Sequence, residues 1–490
     1  MKVLVTGANG YIGLRLIPSL LDAGYEVVAQ VRNASRFPLK DFEAWSSMLT
    51  LIEADYLETE SLPPPDVLVG VESAYYLLHS MGAGEHFAER EKQCAKNFVD
   101  WLEQSECQQI VYLGGIAPAG EKLSEHLSSR MVVADVLASS GIPLTVLRAS
   151  IIVGSGSASF EIIRDLVEKL PVMSTPKWTR TKCQPIAIRN VIHYLLGVID
   201  GVVREECTGK SFDIGGPEVL TYQQMLKGYA RVRGLWRLVV PVPFLSPKLS
   251  AYWLYFMTAT SFPLARALVG SLHLQTTCEE DSISEIIPQS LLAYDEAIEL
   301  ALSRVAQNRV PSVWYDSMAS GKFDARHIRN VKIPEHGVLH DTRECRIEVC
   351  REAVIDSVWS IGGAHGWPSM DWAWHLRGIM DKVFGGAGMR RGRRDQWDLR
   401  TGDALDFWRV VVADKEAGRL ILYAEMKLPG EAWLEFIVSE TKLKQRAVFR
   451  PRGLLGRLYW FCTYPFHLII FPQMLKKLAR GWDKLGSSWS

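Results

Sequence analysis

A chain of 490 residues, 48% hydrophobic and 22% charged, is too long for one core and too apolar for disorder, so two or three globular domains are expected. Lys plus Arg and Asp plus Glu balance at 55 each, which removes the net positive charge that would point to nucleic acid. The eight cysteines form no CxxC pair and no His/Cys cluster at zinc spacing, so neither a metal site nor a disulfide framework is expected.

The chain opens directly on an apolar strand, Lys2–Thr6. It shows no basic n-region, apolar h-region or cleavage site there, which points to the cytoplasm. The stretch VLVTGANGYIG ends the strand in Gly7, Gly10 and Gly13. Ile12, Leu16, Leu20 and Leu21 then repeat at helical spacing, and Gly24 stands where a helix ends. Val27–Val31 reads as the second strand, and apolar runs recur at Ser73–Leu78, Gln109–Leu113 and Leu144–Leu147. Helical stretches, Phe87–Leu102 and Leu127–Ala138, lie between them. Strand and helix in alternation predict an α/β fold, a doubly wound parallel sheet of the Rossmann kind, over residues 1–310.

In that context a glycine turn between strand and helix lets a pyrophosphate approach bare backbone at the helix N-terminus. Thr6, Gly7, Asn9, Gly10, Tyr11, Ile12 and Gly13 are the candidate coenzyme-binding residues of the turn. The second strand ends in Gln30-Val31-Arg32, and an arginine there meets a ribose 2′-phosphate, where an acidic residue would meet a 2′-hydroxyl. Arg32 therefore favours NADP over NAD. His79, after the fourth strand, lies by topology near the same crevice and is a candidate coenzyme contact.

With GxxGxxG at Gly7–Gly13, the chain resembles the short-chain dehydrogenase/reductase superfamily in its extended and atypical branches. The resemblance spans roughly residues 1–305 and extends to SGIPLTVLRASIIVGSGSASFEIIRDL (Ser140–Leu166), RTKCQPIAIRNV (Arg180–Val191) and FDIGGPEVLTYQQML (Phe212–Leu226). These three are similar to substrate-side segments of the sugar-epimerase-like branch, which also includes nitrogen-regulator-like redox sensors. Asp55, in EADYLE, resembles the family aspartate that faces the adenine edge, and is equally readable as a turn residue. The resemblance implies a catalytic tyrosine, a lysine four residues later and a serine. In SEHLSSRMVVADVL the matching positions hold His126 and Arg130, and LGGIAP offers Gly114 and Gly115 for the serine. Histidine titrates near neutrality and arginine can hold an oxygen in its fork, so these two are the candidate catalytic pair. An oxidoreductase or epimerase with a non-standard acid, and a catalytically silent redox sensor or assembly subunit, both stay open.

Leu238–Leu272 is apolar but cut by Pro241, Pro243, Pro247 and Pro263, too finely for a membrane-spanning helix. It reads either as core or as the lining for a small apolar ligand. Glu285–Arg304 predicts a proline-entered helix, and Gln307–Lys322 a linker.

From about residue 325 to 490 the pattern changes. Cys345–Val349, Trp408–Ala413, Leu420–Met426, Ala432–Val438 and Lys444–Phe449 read as strands. Ala353–Ser360, Met370–Phe384 and Pro465–Leu485 read as helices, the last with Phe466, Ile470, Met474, Leu478 and Trp482 on one face. This α+β order resembles the helix-grip fold of lipid-transfer proteins, START-like, which implies an apolar cavity. GGAGMRRGRRD, AEMKLPGEAWLEF and FRPRGLLGRLYWF resemble an uncharacterised domain fused behind dehydrogenase folds. GGAGMRRGRRD (Gly385–Asp395) is a candidate anion clamp or a solvated loop, and Glu425 and Glu435 are candidate acids facing a cavity. From Glu440 onward ten Lys and Arg stand against Glu440 and Asp483. Beside the uncharged Leu458–Leu475 they suggest peripheral membrane contact.

Overall fold

The computed structural model describes residues 1–78, 87–118, 123–241, 270, 272–306, 339–383, 388, 393–451 and 453–482. The chain divides into two units, Met1–Ser320 and Gly321–Ser490. The Leu238–Leu272 stretch beyond Pro241 and the Gln307–Lys322 linker lie almost wholly outside the described residues.

In the first unit, short strands buried on both faces assemble into one parallel sheet. β1 (Lys2–Val5), β2 (Glu26–Val31), β3 (Leu49–Glu53), β4 (Val71–Tyr76), β5 (Gln109–Gly115) and β6 (Leu144–Ala149) contribute in chain order. Next come the two-residue β7 (Ile152–Val153), then β8 (Val172–Thr175), β9 (Lys182–Cys183), β10 (Ile186–Ala187) and β11 (Ser211–Ile214). The last of these joins the main sheet, whose order is β11-β6-β5-β4-β1-β2-β3, every pair parallel. Alternation along β1 sends Val3 and Val5 to one face and Leu4 to the other. On the first face α1 (Gly13–Asp22) packs Leu16 and Leu20 beside Tyr194 and Leu195 of Ile188–Gly197. On the second, Phe98 and Trp101 of α2 (Phe87–Leu102) join Val133 and Leu137 of α3 (Glu125–Ala138). The chain winds outward from β1 through β2 and β3, then restarts at β4 in the opposite direction. The crevice at the carboxyl ends of β1 and β4 is therefore the switch point where such sheets bind ligands.

A smaller lobe grows from the β6 end. β12 (Leu220–Thr221) pairs with β9, β13 (Leu238–Pro241) with β8, and β10 with β7. α4 (Ala158–Lys169) packs there with helices Tyr222–Val232 and Tyr294–Ala306. The single helix expected over Glu285–Arg304 is instead two, Ser282–Ile286 and Tyr294–Ala306. Pro288 denies the first an N–H and restricts Ile287, so it stops. The second starts where Glu218 accepts from Tyr294 N–H (2.7 Å) and Glu296 from Ala293 N–H (2.8 Å).

The second unit is an antiparallel sheet closed by a helix. β14 (Leu339–Arg346), β15 (Ala404–Leu405), β16 (Trp408–Asp414), β17 (Arg419–Ala424), β18 (Gly430–Val438) and β19 (Lys442–Pro451) run in the order β14-β19-β18-β17-β16-β15. The first strand begins and ends earlier than the expected Cys345–Val349. Its sequence, LHDTRECR, alternates too weakly to announce itself and is held by pairing with Lys442–Phe449. Helices Arg351–Trp359 and Asp371–Val383 precede the meander. The closing helix runs Gly453–Ala479, twelve residues longer at its start than expected, with Pro465 and Pro472 inside it. Met474, Leu475 and Leu478 pack against Leu420, Leu434 and Leu443 of the sheet, and this burial outweighs the hydrogen bonds the prolines forgo. Among the described residues no helix is long and apolar enough to cross a membrane.

The β15–β16 turn places Asp406 in the left-handed region (φ 53°). Its buried carboxylate accepts from Trp367 Nε1 (2.8 Å) and Gly363 N–H (3.3 Å). Burial pushes Asp406 up to about 6. A folded-state value above the unfolded one means the native protein holds a proton that the unfolded chain releases. That contribution is complete below about pH 4 and is lost as pH rises through 6. Asp406→Asn keeps the acceptor and suits the left-handed backbone. It is expected to stabilise this unit by on the order of 1–3 kcal/mol at pH 7.5 and by much less at pH 4. Thermal melts followed by tryptophan fluorescence at the two pH values check this; an equal shift at both contradicts it.

Candidate functional site

The opening turn is shaped by contacts that leave no room for side chains. Gly7 has φ 62°, and a Cβ on Gly13 would lie 2.6 Å from Ala8 O and 2.7 Å from Gly7 O. One on Gly10 would lie 3.0 Å from Gly7 O. Thr6 Oγ1 donates to Tyr75 O and accepts from Leu77 N–H, both at 3.0 Å, which ties β1 to β4 at the crevice floor. Gln30 carries the other side: its Oε1 accepts from Gly7 N–H (3.0 Å), its Nε2 donates to Ala54 O (2.6 Å), and its carbonyl receives Ala8 N–H (3.0 Å). Sequence reasoning missed Gln30. The signal was a glutamine inside EVVAQV, since a polar side chain in a doubly buried strand needs partners.

Among the described residues, the N–H groups of Asn9, Tyr11 and Ile12 meet no acceptor, and no side chain caps α1. Free amide donors at a helix start, beside glycines that leave the backbone bare, suit a pyrophosphate. The Tyr11 side chain serves the fold instead. Arg15 lies 3.9 Å over its ring and donates to Tyr11 O and Ser155 O, both at 2.8 Å. Its hydroxyl is buried against Gly154, and burial pushes it up to about 12. Only the backbone of Tyr11 is left for a ligand.

At the far end of the crevice Arg32 is exposed, one residue past β2. Asp55 Oδ1 accepts from Leu57 N–H (3.0 Å), so the carboxylate shapes its own turn. Both act on the thiol of Cys94, pushed up to about 12 chiefly by burial; Asp55 raises it further, while Arg32 and Arg90 oppose the rise. Arg90, on α2, is thus a second cation at this end. No sequence signal marked it, because its placement depends on how α2 packs. His79 lies outside the described residues.

At the carboxyl end of β5, Arg130 Nη1 lies 3.5 Å from where a Gly115 Cβ would stand. Arg130 Nε is buried without a partner, and among the described residues no carboxylate pairs with this guanidinium. The Tyr112 hydroxyl donates to Arg130 O at 3.3 Å. Burial pushes that hydroxyl up to about 12, against the pull of the Arg130 charge. α3 starts at Glu125 with Ser124 as its cap (Leu127 N–H to Oγ, 3.3 Å). His126 therefore sits in the first turn, four residues before Arg130; its imidazole lies outside the described side chains.

In the second unit the candidate acids are already neutralised. Arg409 grips Glu425 through Nε and Nη2 (3.0 and 3.2 Å), and Arg419 Nη2 holds Glu435 at 2.8 Å. The reading of them as free acids in a cavity is corrected: each carboxylate has a partner arginine across the sheet. Of Gly385–Asp395 the residues 385–387 and 389–392 lie outside the described part. Arg393 donates to Ile361 O (2.7 Å) and Trp359 O (2.5 Å), and Arg394 pairs with Asp403 at 3.3 Å, so these two bind the protein itself. Among the described residues no cluster of three or more His, Cys, Asp or Glu could hold a metal.

Residues 7–166 match a family model described as NAD(P)H-binding, and residues 333–474 match one described as a protein of unknown function, DUF2867. The chain carries an NAD(P)H-binding domain. Behind it stands a distinct DUF2867 domain. Similar solved structures include a nucleoside-diphosphate-sugar epimerase from Staphylococcus aureus, 14% identical, covering 61% of this chain and 100% of its own, with a TM-score of 0.49. The triphenylmethane reductase of Citrobacter sp. complexed with NADP(H) is 16% identical, covering 61% and 100%, at 0.49. An NADPH-dependent quinone oxidoreductase from Escherichia coli is 19% identical, covering 61% and 98%, at 0.47. No curated protein matches the chain.

Proposed function

We propose that the first unit is an NADPH-dependent oxidoreductase in which Arg130 holds the substrate oxygen that gains negative charge, and His126 delivers a proton to it. The buried, unpartnered Arg130 Nε at the carboxyl end of β5 carries this reading. A guanidinium facing a crevice with no carboxylate has its fork available for an incoming oxygen. The bare turn Gly7–Gly13 and the N–H groups of Asn9, Tyr11 and Ile12 would hold the pyrophosphate. When bound, the coenzyme supplies the hydride. The protein's own part is to orient the substrate, stabilise the oxygen and replace its proton, and one turn of α3 separates the two side chains that do so.

The preference for NADPH rests on charge. Arg32 and Arg90 flank the adenosine end, whereas the Asp55 carboxylate is engaged with its own turn. Calorimetric titration is expected to give at least tenfold tighter binding of NADPH than NADH. Arg32→Ala is expected to remove most of that difference by weakening NADPH alone. Equal affinities in the wild type would overturn the preference.

A second reading is favoured by one observation. β5 ends in Gly114-Gly115, and α3 holds neither tyrosine nor lysine. A domain that binds NADPH without turnover, as a redox sensor or assembly subunit, fits those residues. Following NADPH absorbance with a panel of ketones and quinones separates the two.

A further inference from the structure

The second unit contains a cavity of about 590 Å³ between the sheet, helix Asp371–Val383 and the closing helix. Well-packed cores leave few voids larger than a water, whereas ligand pockets run to roughly 300–1,000 Å³. Apolar side chains from both helices, the turn between β17 and β18, and strands β18 and β19 form most of its wall. Trp372, Leu376 and Met380 line it while standing exposed to solvent, so its rim is apolar too.

Against this lining stand a few polar groups, and nearly all of them are donors or cations. Arg377 donates through Nη2 to the Tyr459 hydroxyl and through Nε to Met426 Sδ at 3.3 Å. Among the described residues it has no carboxylate partner. Asp381, one helical turn on, is spent on Gly388 N–H and Lys427 N–H, both at 2.8 Å. Trp408 Nε1 and His467 Nδ1 are buried in the wall without partners. Burial, with the Arg377 charge beside it, pulls His467 down to about 4, so the imidazole is neutral at pH 7. Lys427 adds a second positive charge among the lining residues and is exposed.

From these we infer that the cavity binds an apolar carboxylate, a hydrocarbon body with one acid group that docks on Arg377. A sugar would strand its hydroxyls against apolar walls, and a neutral hydrocarbon would cover the guanidinium without supplying a counter-charge. One carboxylate satisfies both the charge and the donor fork. This site is independent of the coenzyme site, and either can stand without the other.

The test uses the full-length protein and two fluorescent probes, parinaric acid and its methyl ester, which differ in the acid group alone. The acid is expected to bind saturably and at least tenfold more tightly than the ester. Arg377→Gln is expected to weaken the acid about tenfold and leave the ester within threefold. Ala447→Phe, which fills the cavity from the core-facing side of β19, is expected to abolish both while circular dichroism stays unchanged. If that variant does not fold, Ala432→Leu replaces it as a smaller intrusion. Failure of the acid to bind, equal affinity for acid and ester, or full binding in a folded cavity-filled variant overturns the assignment.

Discussion

Gly13→Ala is expected to cost at least a hundredfold in NADPH affinity, although it adds one methyl group at a site remote from any hydride transfer. The added carbon would stand 2.6 Å from Ala8 O and 2.7 Å from Gly7 O, both backbone atoms that no rotamer change can move aside. Relief requires α1 to shift against the turn, which carries the N–H groups of Tyr11 and Ile12 away from where a pyrophosphate would sit. Charge-assisted hydrogen bonds are worth about 1.5–3 kcal/mol each, so losing two gives about 3–6 kcal/mol, a hundredfold or more. Gly10→Ala meets only Gly7 O at 3.0 Å and is expected to lose about tenfold. Calorimetry on both variants, with circular dichroism to establish folding, checks the order. A folded Gly13→Ala protein that binds NADPH like the wild type would show that the turn is not the cradle.

The turn was legible in the sequence because its cause is local. Glycines, strand and helix follow one another within residues 3–21, and the backbone conformation demands them in that order. The sheet was legible for a related reason, since strands buried on both faces read as unbroken apolar runs. What failed was whatever depends on distant partners. Glu425 and Glu435 looked like available acids because the arginines that neutralise them, Arg409 and Arg419, lie on neighbouring strands. Pro465 looked like a helix start because local rules forbid proline inside a helix. Packing of the residues around Met474 on the sheet overrode that rule. An apolar cavity was implied by the helix-grip resemblance, but its polar groups were hidden for the same reason: Arg377 and Tyr459 meet across 82 residues of chain. At the coenzyme site, Arg32 was marked by its place after β2, whereas Arg90 became visible only once α2 was seen to bring it to the same thiol.

Arg130→Leu is expected to lower NADPH-dependent turnover at least a hundredfold while coenzyme affinity stays within threefold. Removing one donor that stabilises a developing oxyanion costs about 10²–10³ in rate. Leucine keeps an apolar side chain at this half-buried helical position, so the variant should fold. Arg130→Lys restores the charge without the planar fork and is expected to recover about a tenth of the wild-type rate. His126→Ala provides the complementary measurement. If this residue supplies the proton, its loss removes the corresponding limb of the pH–rate profile. Arg130→Leu would lower the whole profile without moving that limb. The two variants thus separate an electrostatic role from a proton-transfer role, which a single activity value would merge. A wild-type protein that binds NADPH tightly yet oxidises it with no ketone or quinone supports the sensor reading. Undiminished turnover in Arg130→Leu would remove the guanidinium from the chemistry altogether.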